Sequence, residues 1–399
     1  MSEPSSVLLV TPRWARDGGV GAHIQRSAAA LAAAGIEVSV LVARIESDAA
    51  PEGVRLLVSP RLFRDEAPLQ ERFGEALDGA PEVVHLNQLD SRAVVAHLRR
   101  LAPVVISAHG FMACTAREHY FGPGQECQRA HGPGCVARLP RCAHTTNPLR
   151  LPGQYREASR TLDALAAADL VVSYSTAVNR HLAVNGVRRR AVVPYFPTIE
   201  PRQGSGHERR RRVVFAGRVT KPKGIDTFVR AAAQVEGEFL VCGDGRALAG
   251  ARRLARRLGL SKQRIHFAGW LDPDGLAEQF AEASIVAIPS LWPEPFGLVG
   301  IEAFAAGRPV VASATGGIGD WLQDGLSGVC VPAGDHRALA RALAELLADP
   351  ERQRRMGEVG RQTVAERFST ETHLAAIRAA YGAAREAWLS GSRAAKAAA

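Results

Sequence analysis

Two glutamates, Glu294 and Glu302, are separated by seven residues in the stretch from Ser290 to Val311. The apolar run Ile285–Ile288 precedes them, and a Pro- and Gly-rich loop follows it. The pattern predicts a strand, the loop, a helix that begins near Gly297 and stops at Gly307, and a second strand after Pro309. Such a loop sits at the carboxyl end of a strand, where open α/β sheets bind ligands. The amides of Gly297, Leu298 and Val299 fall in the first turn, lack partners within the helix, and suit a phosphate. Two carboxylates, one before the helix and one about one and a half turns inside it, can accept hydrogen bonds from hydroxyls at two ends of one ligand. Singly, each reads as a solvated charge. The joint pattern Glu-Pro-Phe-Gly, four residues and Glu favours the ligand.

Further chemistry lies at other strand ends. Val213–Ala216 leads into Gly217-Arg218-Val219-Thr220-Lys221-Pro222-Lys223-Gly224, where Arg218 and Lys223 flank a loop and can grip a diphosphate. Phe239–Cys242 leads into the turn Gly243-Asp244-Gly245, and Ile265–Ala268 into Gly269-Trp270. Near the N-terminus, Gly18-Gly19-Val20-Gly21 follows the strand Val7–Val10 and precedes a helix from His23 to Ala34; the loop reads as a turn that needs positive φ. It is not Gly-x-Gly-x-x-Gly, so it carries no dinucleotide fingerprint. His109 ends the buried strand Val104–Ser107 and precedes Gly110, which suits a side chain pointing into a cleft. His85, within Val84-His85-Leu86, reads as packed in the sheet.

The glutamate pair with Pro-Phe-Gly after the first resembles the signature of the family-4 retaining glycosyltransferases. Gly-Arg followed by Lys-Gly and a helix matches the same pattern. The resemblance implies α/β, glycosyltransferase-B architecture: two Rossmann-like domains facing a cleft. It implies transfer of a sugar from a nucleotide-sugar with retention, a UDP-sugar being favoured over a GDP-sugar, to an unidentified hydroxyl acceptor: a saccharide, a lipid or a small molecule. Glu294 would contact donor-sugar hydroxyls and Glu302 the nucleotide ribose. Arg218, Lys223 and the amides of Gly297, Leu298 and Val299 would hold the diphosphate and stabilise it as it leaves. Gly19 would approach the donor phosphates, Gly243 and Phe296 would line the donor site, Trp270 would lie near the base, and His109, a candidate catalytic residue with Glu294, Arg218 and Lys223, would lie near the transferred sugar. Front-face attack needs no covalent nucleophile, and domain closure would exclude water. No metal or other cofactor is expected, because two cations and a helix dipole already meet the developing charge.

The elements that must position these residues follow an α/β rhythm along the chain. Strands are expected at Val54–Val58, Val83–Leu86 and Leu170–Ser173, and helices at Ala67–Leu77, Ser91–Leu101, Gln154–Ala167 and, capped by Ser175, Thr176–Val184. Residues 1–197 form the expected N-terminal, acceptor-side domain, with an insertion at 111–152. Residues 198–208 are the linker, 209–367 the nucleotide-sugar domain, and 368–389 a helix returning to the first domain, with Ser390–Ala399 disordered. The insertion holds Cys114, Cys127, Cys135 and Cys142, with His119, His131 and His144. The spacing Cys-x12-Cys-x7-Cys-x6-Cys has no Cys-x2-Cys knuckle, so free thiols are favoured over a structural zinc site. Cys242 and Cys330 lie in apolar strands and read as core residues.

The chain of 399 residues is 46% hydrophobic and 23% charged, with a formal net charge of +10. No apolar run approaches the ~20 residues of a membrane span. No signal peptide is read, so the expected compartment is the cytoplasm, with a weak membrane-surface association left open. The arginines of 209–212 and of 252, 253, 256 and 257 have no aromatic residues between them, which argues against nucleic acid. Two rival readings stand: a nucleotide-sugar epimerase or sugar phosphorylase on the same fold, and a non-catalytic sugar-nucleotide-binding protein. Because Glu294 and Lys223 read as loop residues, replacing either should abolish transfer with little loss of stability.

Overall fold

The computed structural model describes residues 4–15, 18–46, 50–64, 67–87, 91–112, 114, 120–138, 142, 151–202 and 211–397. Most of the linker, Arg209 and Arg210, His119 and His144 lie outside them. Two compact units form. One comprises Met1–Arg117, Gln128–Tyr195 and Thr370–Ala399, the other Glu118–Cys127 and Phe196–Ser369.

In the first unit the strands are β1 (Ser6–Trp14), β2 (Glu37–Ile45), β3 (Val54–Val58), β4 (Val83–Asn87), β5 (Val104–Ala108), β8 (Leu170–Ser173) and β9 (Arg190–Val192). They pair in parallel in the order β3-β2-β1-β4-β5-β8-β9. Runs such as Val7-Leu8-Leu9-Val10 and Val104-Val105-Ile106 are buried throughout, as strands covered on both faces by crossover helices must be. Helices α1 (Gly19–Ala33), α2 (Leu69–Asp78), α3 (Arg92–Leu98), α4 (Leu151–Ala167) and α5 (Thr176–Val184) supply the connections. Ser175 caps α5 by accepting from the Val178 amide at 3.1 Å.

The second unit has strands β10 (Arg212–Ala216), β11 (Glu238–Cys242), β12 (Ile265–Gly269), β13 (Ile285–Ile288), β14 (Val310–Ser313) and β15 (Gly328–Val331). These too are all parallel, in the order β12-β11-β10-β13-β14-β15. Helices α6 (Ile225–Ala232), α7 (Leu248–Arg257), α8 (Pro273–Glu282), α9 (Leu298–Ala305), α10 (His336–Ala348) and α11 (Pro350–Arg367) pack around it. Helix α8 has a legible start: Asp272 accepts from the Gly275 amide at 2.7 Å, and Pro273 occupies the first turn, where a missing N–H costs nothing.

The structure departs from the sequence expectations in three places. The glycine-rich loop after β1 is mostly helix: Gly18 alone in it has a positive φ, of 87°, and Gly19 opens α1. The segment 111–152 is divided between the units, with Glu118–Cys127 leaving the first. Its hairpin β6 (Tyr120–Gly122) and β7 (Gln125–Glu126) groups with the second, because the Gly124 amide donates to the Leu291 carbonyl and the Gly316 amide to Glu126 Oε1, both at 2.9 Å. The tail expected to be disordered continues helix α12 (Thr370–Ala397), since its alanines, Arg393 and Lys396 favour helix despite Gly391. Trp388 of α12 donates to the Arg99 carbonyl at 2.6 Å, within the first unit.

One close approach sets the placement of Lys223. Gly224 has φ of 75°, and a Cβ there would lie 1.7 Å from the Pro289 carbonyl oxygen at the end of β13. Gly224→Ala is therefore expected to cost at least about 2 kcal/mol, from left-handed strain plus a backbone clash. Urea unfolding of the variant checks this, and an unchanged midpoint would contradict it.

Candidate active site

Strand order decides where ligand-binding loops gather. In the second sheet the order reverses between β10 and β13, and the loops leaving the carboxyl ends of neighbouring strands diverge at such a point. The loop after β10 carries Arg218 and Lys223, and the loop after β13 carries Glu294. These two loops join. Lys223 Nζ donates to both oxygens of Glu294 at 2.8 Å. The Trp292 indole N–H donates to Glu294 Oε1 at 3.1 Å, and the Ser290 hydroxyl donates to the same oxygen. Lys223 also lies 5.4 Å from the Trp292 ring centroid, a cation–π distance.

Glu294 is 2% exposed and Glu302 5% exposed, which excludes the solvated-charge reading for both. Glu302 lies in the second turn of α9 and accepts from the Thr198 hydroxyl. Gly297 caps α9, and Leu298 and Val299 are its first residues, so their amides stand at the helix end that favours anions. The loop after β14 completes this end of the sheet. Gly317 donates its amide to the Glu294 carbonyl at 2.7 Å, and Thr315 its hydroxyl to the Trp292 carbonyl at 3.0 Å.

The remaining residues of this unit separate by environment. Arg218 is exposed, and its side chain has no hydrogen-bond or ion-pair partner among the described residues. Trp270 follows β12 and is 61% exposed. Gly243 is buried after β11, where its amide donates to the Gly269 carbonyl at 2.6 Å. Phe296 differs from expectation. Its ring is buried against Phe368, with centroids 5.6 Å apart, and its carbonyl accepts from Trp321 at 2.7 Å, so it anchors the loop by packing. The expectation that Glu294 and Lys223 are structurally dispensable is also corrected, because both are tied into a buried ion-pair network.

In the first unit the sheet reverses between β1 and β4. Gly19 follows β1, Asn87 ends β4, and His109 follows β5. His109 was expected to point into a cleft. Instead its ring is half-buried with both nitrogens engaged inside this unit: Nδ1 pairs with Tyr195 Oη at 2.8 Å and Nε2 with Asn87 Oδ1 at 3.0 Å. Its ring stacks on Tyr174 at 4.7 Å and 9°. His85 is buried, as the sequence suggested, between Ser107 at 2.7 Å and Tyr381 at 2.9 Å. His23 and His373 join the same group, their rings 5.0 Å apart, with the Ser27 hydroxyl within 3.4 Å of His23 Nε2 and 3.3 Å of His373 Nε2. His373 Nδ1 donates to the Pro194 carbonyl at 2.8 Å.

Sequence reasoning missed Asn87, Tyr174, Tyr195, His23 and His373 here, and Thr198, Ser290 and Trp292 in the second unit. Asn87 had one available signal, a polar residue closing an otherwise apolar buried strand. The others meet through tertiary contact between distant segments. None of the six cysteines is in a disulfide, and among the described residues no group of three or more His, Cys, Asp or Glu side chains could hold a metal ion. Among the described residues, no helix is long and apolar enough to cross a membrane.

Two parallel α/β sheets, each with polar and charged residues at the carboxyl ends of its strands, are what the glycosyltransferase-B fold requires. Known proteins agree. Residues 198–363 match the family described as glycosyl transferases group 1, and residues 17–195 match glycosyltransferase family 4. A D-inositol 3-phosphate glycosyltransferase of Acidothermus cellulolyticus is 30% identical over 78% of this chain and 78% of its own length. The lipopolysaccharide core biosynthesis glycosyltransferase LpsE of Rhizobium meliloti is 36% identical over 40% of this chain, which spans 46% of LpsE. The solved structure of Anabaena Alr3699/HepE in complex with UDP-glucose shares the fold, with a TM-score of 0.66, 18% identity, and coverage of 94% of this chain and 98% of that one. The chain belongs to the group 1, family 4 glycosyltransferases.

The histidine cluster has a consequence for stability. Burial lowers His85 and His109 to about 3, lowers His373 to about 4 against the opposing pull of the Pro194 carbonyl, and lowers His23 well below 6.5. In the unfolded chain all four titrate near 6.5. Above that pH they are neutral in both states and the native preference is fully present. Below it the unfolded chain binds protons that the folded one refuses, so stability falls as pH drops from 6.5 towards 3–4. Each histidine then contributes up to about 1.4 kcal/mol of loss per pH unit. Thermal melting between pH 7.5 and 5 should show a steadily falling Tm, and a flat or rising Tm would contradict the reading.

Proposed function

We propose that this chain is a retaining glycosyltransferase that takes a sugar from a nucleoside diphosphate donor, a UDP-sugar in preference to a GDP-sugar. The observation that carries the reading is the Lys223–Glu294 pair at the reversal point of the second sheet. An ammonium group has three protons. Two go to Glu294, which fixes Nζ beside its loop and leaves the third for a phosphate oxygen. Glu294 Oε1 is saturated by Ser290, Trp292 and Lys223, while Oε2 accepts only from Lys223 among these groups and retains room for a donor-sugar hydroxyl. Glu302 takes the ribose, Trp270 offers an exposed indole face to the base, and the HepE complex with UDP-glucose favours uridine.

The slow event is rupture of the bond between the anomeric carbon and the diphosphate oxygen. Negative charge then grows on the departing diphosphate. Lys223, held by Glu294, and the amides at the start of α9 are preorganised to meet it, and the exposed Arg218 adds a second cation on the same loop as Lys223, so no metal ion is needed. The acceptor hydroxyl attacks from the face the diphosphate leaves, and its proton passes to the leaving phosphate oxygen. One bond to the anomeric carbon breaks, one forms, and configuration is kept. Both His109 nitrogens are engaged, by Tyr195 and Asn87, and burial disfavours its protonation, so it is not assigned as a base. The acceptor is a saccharide, lipid or small-molecule hydroxyl, and the protein works in the cytoplasm.

A panel of nucleotide-sugars, tested for binding and slow hydrolysis with and without EDTA, tests the reading. One UDP-sugar should bind and turn over equally in EDTA; if none binds, the reading fails. Lys223→Ala should lower hydrolysis by roughly 100-fold or more, the scale of losing one preorganised charge partner. It should also destabilise the fold by about 3 kcal/mol, because the buried Glu294 carboxylate is left without its cation. Hydrolysis rates and denaturant midpoints measured on one preparation separate these effects.

A further inference from the structure

We propose that Asn87 and Tyr195 are positioning residues that hold His109 as a single neutral tautomer, with the proton on Nε2. Asn87 ends β4 and His109 follows β5, adjacent strands in register from Val84 against Val104 to Asn87 against Ser107. The two side chains therefore project from neighbouring strand ends at the reversal side of the sheet. Asn87 presents its carbonyl oxygen to Nε2 at 3.0 Å, and a carbonyl oxygen can only accept. Nε2 must then carry the proton. In a neutral ring that leaves Nδ1 as acceptor, so the Tyr195 hydroxyl, 2.8 Å away, donates to it.

Packing makes the arrangement unique. Tyr174 stacks flat on His109 at 4.7 Å, and on Tyr195 at 4.2 Å, so the imidazole has no room to turn over. The Tyr174 hydroxyl is held in turn by Ser107 at 2.7 Å. Asn87 and Tyr195 are each 3% exposed, so neither bond competes with bulk water. Burial also opposes a cationic ring.

The functional consequence rests on the reaction proposed above. A ring whose two nitrogens are both engaged meets the sugar as a fixed, uncharged surface rather than as a proton carrier. The tautomer itself is independent of that reaction and is read without ligand.

Protein labelled with 15N-histidine is examined by long-range proton–nitrogen correlation at pH 7, with His109→Gln identifying the signal. The expected result is a neutral Nε2–H ring. Asn87→Ala should mix the tautomers. Asn87→Asp keeps an acceptor and should retain the proton on Nε2. Tyr195→Phe keeps the packing, removes the donor to Nδ1, and should weaken the preference for the Nε2–H form. A wild-type ring protonated on Nδ1 or on both nitrogens overturns the proposal, as does an unchanged tautomer in both Asn87→Ala and Tyr195→Phe. With a UDP-sugar as probe, Asn87→Ala should lower the kcat of hydrolysis roughly tenfold with little change in KM, and Asn87→Asp should recover part of it. A shifted tautomer with unchanged kcat overturns the positioning role. If no nucleotide-sugar binds the wild-type protein, the donor reading fails while the tautomer result is unaffected.

Discussion

The ion pair between Lys223 and Glu294 is the constraint on which the second unit depends. It joins the loops after β10 and β13 at the point where strand order reverses, the one place in a doubly wound sheet where neighbouring loops part and leave a crevice. Burying a carboxylate is costly unless each lone pair is met. Here Ser290, Trp292 and Lys223 meet Oε1 and Lys223 meets one side of Oε2, so the same hydrogen bonds that make the charge tolerable also orient the groups that would touch a donor. The surrounding backbone is drawn in too, through the bond from Gly317 to the Glu294 carbonyl. Structure and chemistry share one set of contacts, so a substitution in this loop affects both.

The first unit solves a different problem. Four histidines and three tyrosines are gathered where β4, β5, α1 and α12 approach one another, and burial keeps the imidazoles neutral. Polar rings in a low-dielectric interior require partners. They find them in Ser27, Ser107, Asn87 and the Pro194 carbonyl, giving a rigid set of rings rather than a group that trades protons near neutral pH.

The hairpin β6–β7 shows why the 111–152 segment resisted reading. Its sequence is rich in Gly and Pro with no hydrophobic period, so nothing local announced a strand pair. Its placement is fixed by Gly124 and Glu126 bonding to the loops at Leu291 and Gly316. Those partners lie 167 and 190 positions away in the chain, and no local pattern encodes such a meeting.

By itself the sequence determined the class of fold and named candidate residues for the second site. Apolar runs of four or five residues alternating with amphipathic helices specify parallel sheets, because only a sheet covered on both faces can use them. The glutamates around Pro-Phe-Gly, and the cations after β10, were legible because they lie in or just beyond short loops of fixed spacing. Tertiary structure alone decided the partners. That Lys223 spends two protons on Glu294, that Phe296 packs inward, that His109 is closed off by Asn87 and Tyr195, and that Glu302 takes a hydroxyl from Thr198 all depend on segments brought together from across the chain. Periodicity fixes which face of an element is buried. Which polar group meets which depends on the register and stacking of whole elements, and that is settled only when the core closes.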